Sequence, residues 1–214
     1  MTRYVITADL RRCVGCQTCT AACKEGNNTP PTVQWRRVLD IEVGEYPDVR
    51  RVFVPTGCQQ CANPPCMDVC PSTATRQRPD GIVTIDAELC IGCTYCVMAC
   101  PYEARYMITE DAYAFGDAPT AKEAAGRKHA VGTVTKCDFC AARIDKGVAA
   151  GKTAGVDPEA TPLCVNSCIS GALAFGDIED KNSPVSRLLA ESKSYRMHEE
   201  LGTEPGFYYI WDKA

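Results

Sequence analysis

Histidine is nearly missing from this 214-residue chain: only His129 and His198 occur. Neither follows a C-x-x-C pair, so attachment of a c-type haem is excluded. No stretch approaches the run of about 18 apolar residues that a membrane-spanning helix needs, and no long amphipathic segment stands out. A membrane attachment, if there is one, is expected to come from a partner. There is no excess of positive charge either. With 23 Lys and Arg against 27 Asp and Glu the formal charge is −4, which gives no electrostatic footprint for a nucleic acid. The stretch from Met1 to Asp9 has no signal-peptide core, no twin-arginine pair ahead of one and no small-residue cleavage site, so the chain is not expected to direct its own export. A Gly-rich nucleotide loop and a Cys/His catalytic pair are also missing.

Cysteine is what the chain has in excess, sixteen in all, and the residues are bunched. Cys13, Cys16, Cys19 and Cys23 follow the spacing C-x2-C-x2-C-x3-C, and Cys90, Cys93, Cys96 and Cys100 repeat it with Pro101 after the last. This is the bacterial ferredoxin signature. Cys58, Cys61, Cys66 and Cys70 keep both ends of the pattern and widen its middle gap. Cys137 and Cys140 are separated from Cys164 and Cys168 by a long loop. Four groups of four account for every cysteine.

The spacing has a physical reason. Thiolates two residues apart can wrap a tight loop around three corners of a cubane, with backbone N–H groups turned toward its sulfides. The fourth corner is reached from elsewhere, because the x3 gap begins a helix that carries the last cysteine away to a neighbouring cluster. Structural zinc also uses C-x2-C, but two such pairs would satisfy it, and it gives no reason for three successive cysteines at x2 spacing. Disulfides favour cysteines distant in sequence and well separated from their neighbours. Four [4Fe-4S] clusters are therefore expected. At about −2 each they would bring the formal −4 to roughly −12.

Short strands are expected at Arg3 to Asp9, Val49 to Pro55 and Ile82 to Ile85, the last after the turn signal Pro79-Asp80-Gly81. Each leads into a cluster loop, which is the ferredoxin plan. The fold class is α+β, with two ferredoxin-like double-cluster modules, one inserted in the other. The outer module comprises residues 1–49 plus 130–180, the inner 50–107, with an insertion loop at 108–129 and a C-terminal extension at 181–214. Pro71 and Pro101 follow the last cysteines of the inner groups, whereas Lys24 and Ile169 hold those places in the outer ones. Residues 109–135 and 147–163, rich in Gly, Ala, Pro, Asp and Lys, read as surface loops. A helix starts at Ser183-Pro184, and Phe207 to Trp211 reads as a packed strand. The pairs Arg11-Arg12, Arg36-Arg37 and Arg50-Arg51 read as solvated surface, the alternative being docking to an acidic face or tuning of a nearby cluster.

Four such groups in this order, with Asn63-Pro-Pro-Cys66, Asp80-Gly81, Cys90-Ile-Gly-Cys93, Ala99-Cys100-Pro-Tyr102, Lys136-Cys137, Phe175-Gly-Asp177 and Phe207-Tyr-Tyr-Ile210, resemble the iron-sulfur subunits of the dimethyl sulfoxide reductase family of molybdenum and tungsten oxidoreductases. The resemblance covers nearly the whole chain. It implies an electron-transfer subunit without catalysis of its own, seated between a large pterin-containing catalytic subunit and, often, a membrane quinone-reactive subunit. It also implies the ligand sets. Cys13, Cys16, Cys19 and Cys168 would hold one cluster, and Cys137, Cys140, Cys164 and Cys23 its partner. In the inner module Cys90, Cys93, Cys96 and Cys70 would hold one, and Cys58, Cys61, Cys66 and Cys100 the other. Some relatives replace the second cysteine of the third group and hold three irons there; this chain has Cys93, which implies four.

Ile169, the long loop before Cys164, and the phrases Cys70 to Thr75 and Gly202 to Gly206 look like the subgroup serving sulfite-oxidising or phenylacetyl-CoA-oxidising enzymes. The expected location is the cytoplasm or the cytoplasmic face of a membrane, with co-export beside a signal-bearing partner as the alternative. The other functions weighed are a free-standing polyferredoxin and a small reductase with a labile cluster. The latter needs a group with only three ligands, and none has so few.

Overall fold

The computed structural model describes residues 1–110, 112–116, 118–124 and 130–213; His129 and part of the 108–129 insertion lie outside them. The fold is mixed α+β. Strand β1 (Tyr4–Asp9) is buried almost throughout and stands inside a four-stranded sheet, between β8 (Leu173–Asp177) and β10 (Phe207–Lys213), with β9 (Ser192–Tyr195) at the edge. β1 pairs antiparallel with β8, from Tyr4 opposite Asp177 to Ala8 opposite Leu173, and parallel with β10, from Ile6 opposite Phe207 to Asp9 opposite Ile210. A strand covered on both edges and both faces reads as a continuous apolar run, and here Val5, Ile6, Thr7 and Ala8 all fall at or near zero exposure. The aromatic run Phe207 to Trp211 is thus sheet interior at Phe207, Tyr209 and Ile210.

Helix α1 (Thr18–Asn27) follows the first cysteine loop. It leads to a hairpin of β2 (Arg36–Val43) and β3 (Arg50–Gly57), paired over eight rungs from Arg36–Gly57 to Val43–Arg50. The expected boundary between residues 49 and 50 falls within this hairpin. The next stretch is built of short pieces: α2 (Pro65–Asp68), the ribbon of β4 (Thr75–Gln77) and β5 (Val83–Ile85), and α3 (Tyr95–Met98). β6 (Tyr106–Met107) pairs across the insertion with β7 (Val134–Thr135), and α4 (Ala121–Ala124) lies between them in sequence. Helix α5 (Ala141–Ala149) starts directly after Cys140 and α6 (Leu163–Asn166) carries Cys164, and α7 (Pro184–Ala190) is capped by the Ser183 hydroxyl, which accepts from the Ser186 N–H at 3.2 Å.

The sequence reading needs correction at both expected loops. Thr133, Val134 and Thr135 are buried, because β7 closes against β6 and over an inner cysteine site; two residues are too few for any period to show. At the second, residues 147–149 finish α5, and Ala160 is wholly buried against Gly147, where an added Cβ would lie 2.7 Å from Ala160. The pair Arg36-Arg37 is not solvated surface. Arg36 is 1% exposed and Arg37 is half-buried, while Arg11, Arg12, Arg50 and Arg51 are exposed. The reason is the hairpin's position: β2 enters it opposite Gly57, next to the cysteine at 58, and so begins in the interior.

Candidate metal centres

The loops that carry the first and third groups adopt one backbone shape. Gly15 and Gln17 have φ of 67° and 60°, Gly92 and Thr94 have 68° and 63°, and a helix begins directly after each loop, at Thr18 and at Tyr95. Two left-handed residues within the loop curl three cysteines around a common point. Glycine is required twice over at its first left-handed position. A Cβ at Gly15 would stand 2.4 Å from the Phe53 ring, and one at Gly92 would stand 2.2 Å from the Gly132 carbonyl oxygen.

Each loop closes a cavity with one cysteine from far away. One of about 300 Å³ is lined by Cys13, Cys16, Cys19 and Cys168, with Val38, Pro55 and Leu173. Another of about 310 Å³ is lined by Cys70, Cys90, Cys93 and Cys96, with Ile85, Arg105 and Val134. A third of about 330 Å³ is lined by Cys58, Cys61, Cys66 and Cys100, with Val83, Tyr102 and Arg105. The remaining four cysteines gather where α1 meets α6. The Asn27 amide reaches Cys23 Sγ at 3.5 Å and Cys140 Sγ at 3.9 Å, and Cys164 acts electrostatically on Cys23, Cys137 and Cys140.

The distant cysteines of the first two cavities are held alike. Cys70 Sγ accepts from the Thr75 N–H at 3.5 Å and lies 3.8 Å from the Ser72 hydroxyl; Cys168 Sγ accepts from the Ala172 N–H at 3.2 Å and lies 3.7 Å from Ser170. Other thiols receive the Val134 N–H (Cys90, 3.4 Å), the Phe139 N–H (Cys137, 3.4 Å), the Thr18 hydroxyl (Cys16, 3.3 Å) and the Arg105 guanidinium (Cys66, 2.9 Å).

Burial sets the acidity of the more enclosed of these thiols. It lifts Cys23 and Cys61 to about 12, Cys19 and Cys140 to about 11, and fully buried Cys137 well above its ordinary value. Cys16, at the surface, is lowered by the Thr18 hydroxyl. At Cys70 burial pushes upward but is outweighed by the bonds from Thr75 and Ser72. Thiols so reluctant to ionise become thiolates only when a metal displaces the proton.

These residues fit [4Fe-4S] clusters. All donors are soft thiols; three cavities are nearly equal in volume, and each is closed by four cysteines. Among the described residues no three His, Cys, Asp or Glu side chains converge closely enough for a single ion. Thiols spread around a void suit a polynuclear guest. Of the two histidines, the described one, His198, is exposed against Glu200 and takes no part.

Of two arginines at the sites, the sequence reading missed Arg105 and gave Arg36 only as solvated surface, with tuning of a nearby cluster as the alternative. Arg105, 4% exposed, lines two cysteine cavities and also donates to the Thr75 hydroxyl at 3.1 Å. Arg36 lies beside Cys164, Cys137, Cys23 and Cys19. Burial alone would weaken its hold on a proton, and these cysteines, once thiolates, reverse that. The one available signal was position, since Arg105 lies five residues after Cys100 and Arg36 opens the strand paired to the approach of Cys58.

A family model described as a 4Fe-4S dicluster domain matches residues 49–115. The chain is 38% identical to a selenate reductase subunit of Mesobacillus selenatarsenatis, over 97% of this chain and 72% of that protein. It is 38% identical to the putative dimethyl sulfoxide reductase iron-sulfur subunit of Halobacterium salinarum (98% and 79%) and 36% identical to a tetrathionate reductase subunit of Salmonella typhimurium (97% and 72%). Similarity of this extent, carried through the cysteine loops just described, means that the chain belongs to the iron-sulfur electron-transfer subunits of the dimethyl sulfoxide reductase family of molybdenum and tungsten oxidoreductases.

Proposed function

We propose that the chain carries electrons through four [4Fe-4S] clusters between a large pterin-containing molybdenum or tungsten subunit and a second redox partner, a membrane quinone-reactive subunit in the first instance. The observation that carries this reading is the recurrence of one arrangement, a cavity near 300 Å³ ringed by four cysteines of which one comes from a distant segment. The ligand sets are Cys13, Cys16, Cys19 and Cys168; Cys23, Cys137, Cys140 and Cys164; Cys58, Cys61, Cys66 and Cys100; and Cys70, Cys90, Cys93 and Cys96. The exchange of one cysteine between paired groups supports a nested pair of modules, residues 50–107 within 1–49 plus 130–180, with 181–214 completing the outer sheet through β10.

A bound cluster supplies reversible one-electron storage. The protein's part is to fix the path and the energy. Backbone N–H groups at Thr75, Val134, Phe139 and Ala172, and the Arg105 guanidinium, donate to the ligating sulfurs and stabilise their negative charge. Between the two modules Gln60 donates to the Cys137 carbonyl at 2.6 Å and accepts from the Val83 N–H at 2.7 Å, which ties an inner site to an outer one. With every cysteine engaged, no iron is left open to substrate. Among the described residues no helix is long and apolar enough to cross a membrane, so a quinone-reactive function belongs to a separate subunit. We place the chain at the cytoplasmic face or, carried by a signal-bearing partner, on the far side.

The test is anaerobic purification with partners retained, followed by iron, sulfide, zinc and molybdenum or tungsten analysis and mass spectrometry of the co-purifying chains. About sixteen irons per chain, with molybdenum or tungsten on a large companion, is the expected result and identifies the substrate-bearing subunit. Sixteen irons on a solitary chain would make it a free polyferredoxin, and zinc with little iron would end both readings.

A further inference from the structure

Arg36 presents a problem that its own surroundings do not solve. It is 1% exposed, and its Nε, Nη1 and Nη2 have no hydrogen-bond partner. A buried, always-charged guanidinium without partners is among the least tolerable groups in a protein interior. The guanidinium carbon lies over the Phe207 ring, 4.9 Å from its centroid, a contact that offsets part of the cost. The ionisable groups that act on it most are cysteines of two different sites, Cys19 from the first and Cys23, Cys137 and Cys164 from the second. A guanidinium with five unpartnered N–H donors is thus coupled to cysteines of two candidate clusters at once.

The same juxtaposition recurs along the chain. Arg105, buried, lines both inner cavities and donates to Cys66 Sγ. Lys136, 4% exposed, donates through Nζ to the carbonyls of Val83 and Cys137. Val83 lines an inner cavity and Cys137 belongs to an outer site, so Lys136 stands where the modules meet. Among the described residues these are the Lys and Arg side chains with less than a tenth of their surface exposed.

We propose that Arg36, Lys136 and Arg105 are positioning cations for electron transfer, one in each of the three gaps between four clusters in file, with Arg36 donating to the sulfurs of both outer clusters. The proposal rests on the four-cluster reading above. Two neighbouring four-thiolate clusters carry about −4 between them before any electron arrives. A buried cation in the gap offsets that repulsion, raises the potential of both neighbours and lets both be reduced together. Because each cation serves only its own gap, the three effects are separable.

The experiment is a redox titration followed by electron paramagnetic resonance on the intact complex, with iron counted per chain. Wild type is compared with Arg36→Met, which removes charge and donors, Arg36→Lys, which keeps the charge, and Arg105→Met, which removes the charge in the inner gap. Arg36→Met is expected to lower the two outer potentials by the equivalent of at least a tenfold change in the reduced-to-oxidised ratio, ~59 mV for one electron. The inner pair should stay put. Arg36→Lys should restore most of the shift, and Arg105→Met should move only the inner pair. Fully loaded Arg36→Met with unmoved outer potentials, or with all four shifted alike, overturns the proposal. So does loss of outer iron in both Arg36 variants, which would make the residue a structural clamp. Fewer than four cluster signals in the wild type would instead overturn the four-cluster reading.

Discussion

The two halves of the molecule are held together by different means. Around β1, β8 and β10 lies an apolar core in which Ile6, Phe139, Phe175, Phe207 and Tyr209 are nearly or wholly inaccessible, and Ile82 and Ile108 from the inner stretch join it. The inner half has two small clusters. One consists of Cys66 and Cys96 with Val83 and Val134, the other of Cys61 with Tyr102 and Ala104. Beyond β3 its strands are two or three residues long and its helices a single turn, lengths that do not stand alone in water. Buried cysteines belong to the core in both halves, but in the inner one they have only Val83, Val134, Tyr102 and Ala104 as buried company, so it depends most on what the thiols hold. The outer half is a folded protein that holds metal; the inner half is folded by its metal.

The largest expected effect follows from that contrast. Chelating the iron should abolish hydrogen-exchange protection across residues 58–107 while the amides of β1, β8 and β10 keep a measurable share of theirs. Equal loss in both halves would erase the distinction. Next in size, Phe175→Ala should cost about 3–5 kcal/mol in denaturant unfolding of the loaded protein. Phe175 is wholly buried, stacks on Tyr4 at 5.1 Å and meets Phe139 edge-on at 5.8 Å.

The matching glycines sharpen the comparison further. Gly92→Ala should cost about 2–3 kcal/mol, because its Cβ meets a backbone carbonyl that cannot turn aside. Gly15→Ala should cost about 1–2 kcal/mol, because the Phe53 ring can rotate away. A double substitution with Phe53→Ala should recover part of the second loss and none of the first.

The smallest effect lies at the joint between the halves. Arg78 grips both oxygens of Asp145, at 2.8 and 2.6 Å, and also Asp80 at 2.7 Å. The exposed position limits Arg78→Ala to about 0.2–1 kcal/mol. Arg78 holds the Asp145 carboxyl below its ordinary value. The contribution is therefore full above the unfolded carboxyl's pKa, near ~4, and fades as pH falls through the lowered folded value. Acid unfolding curves of wild type and variant should converge at the acid end.

The cysteine loops were legible in the sequence because their geometry is local: three ligands within seven residues leave one way to curl. Val49 to Pro55 showed itself as a strand, but its partner from Arg36 did not, since Leu39, Ile41 and Val43 are partly exposed on the far half of the hairpin and give no clear inward face. Arg36 was misread for a related reason. Two adjacent arginines normally belong to water, and only the closure of the hairpin over the cysteine sites puts the first inside. The aromatic tail was recognisable as a strand, but nothing local marks it as the parallel neighbour of β1, some 200 residues earlier.

That parallel pairing bears on how the protein is made. β10 is synthesised after almost everything it stabilises, yet β1 cannot be flanked on both sides until β10 has left the ribosome. The inner cysteines, contiguous in sequence, are exposed to the cell long before the sheet can close. Assembly is therefore ordered by translation: the inner sites can be loaded on a growing chain, whereas the first group must wait, open and oxidisable, until the fourth group and β10 have been made. A truncation that removes Phe207 to Lys213 would be expected to leave a chain that acquires iron in its middle and never at its ends.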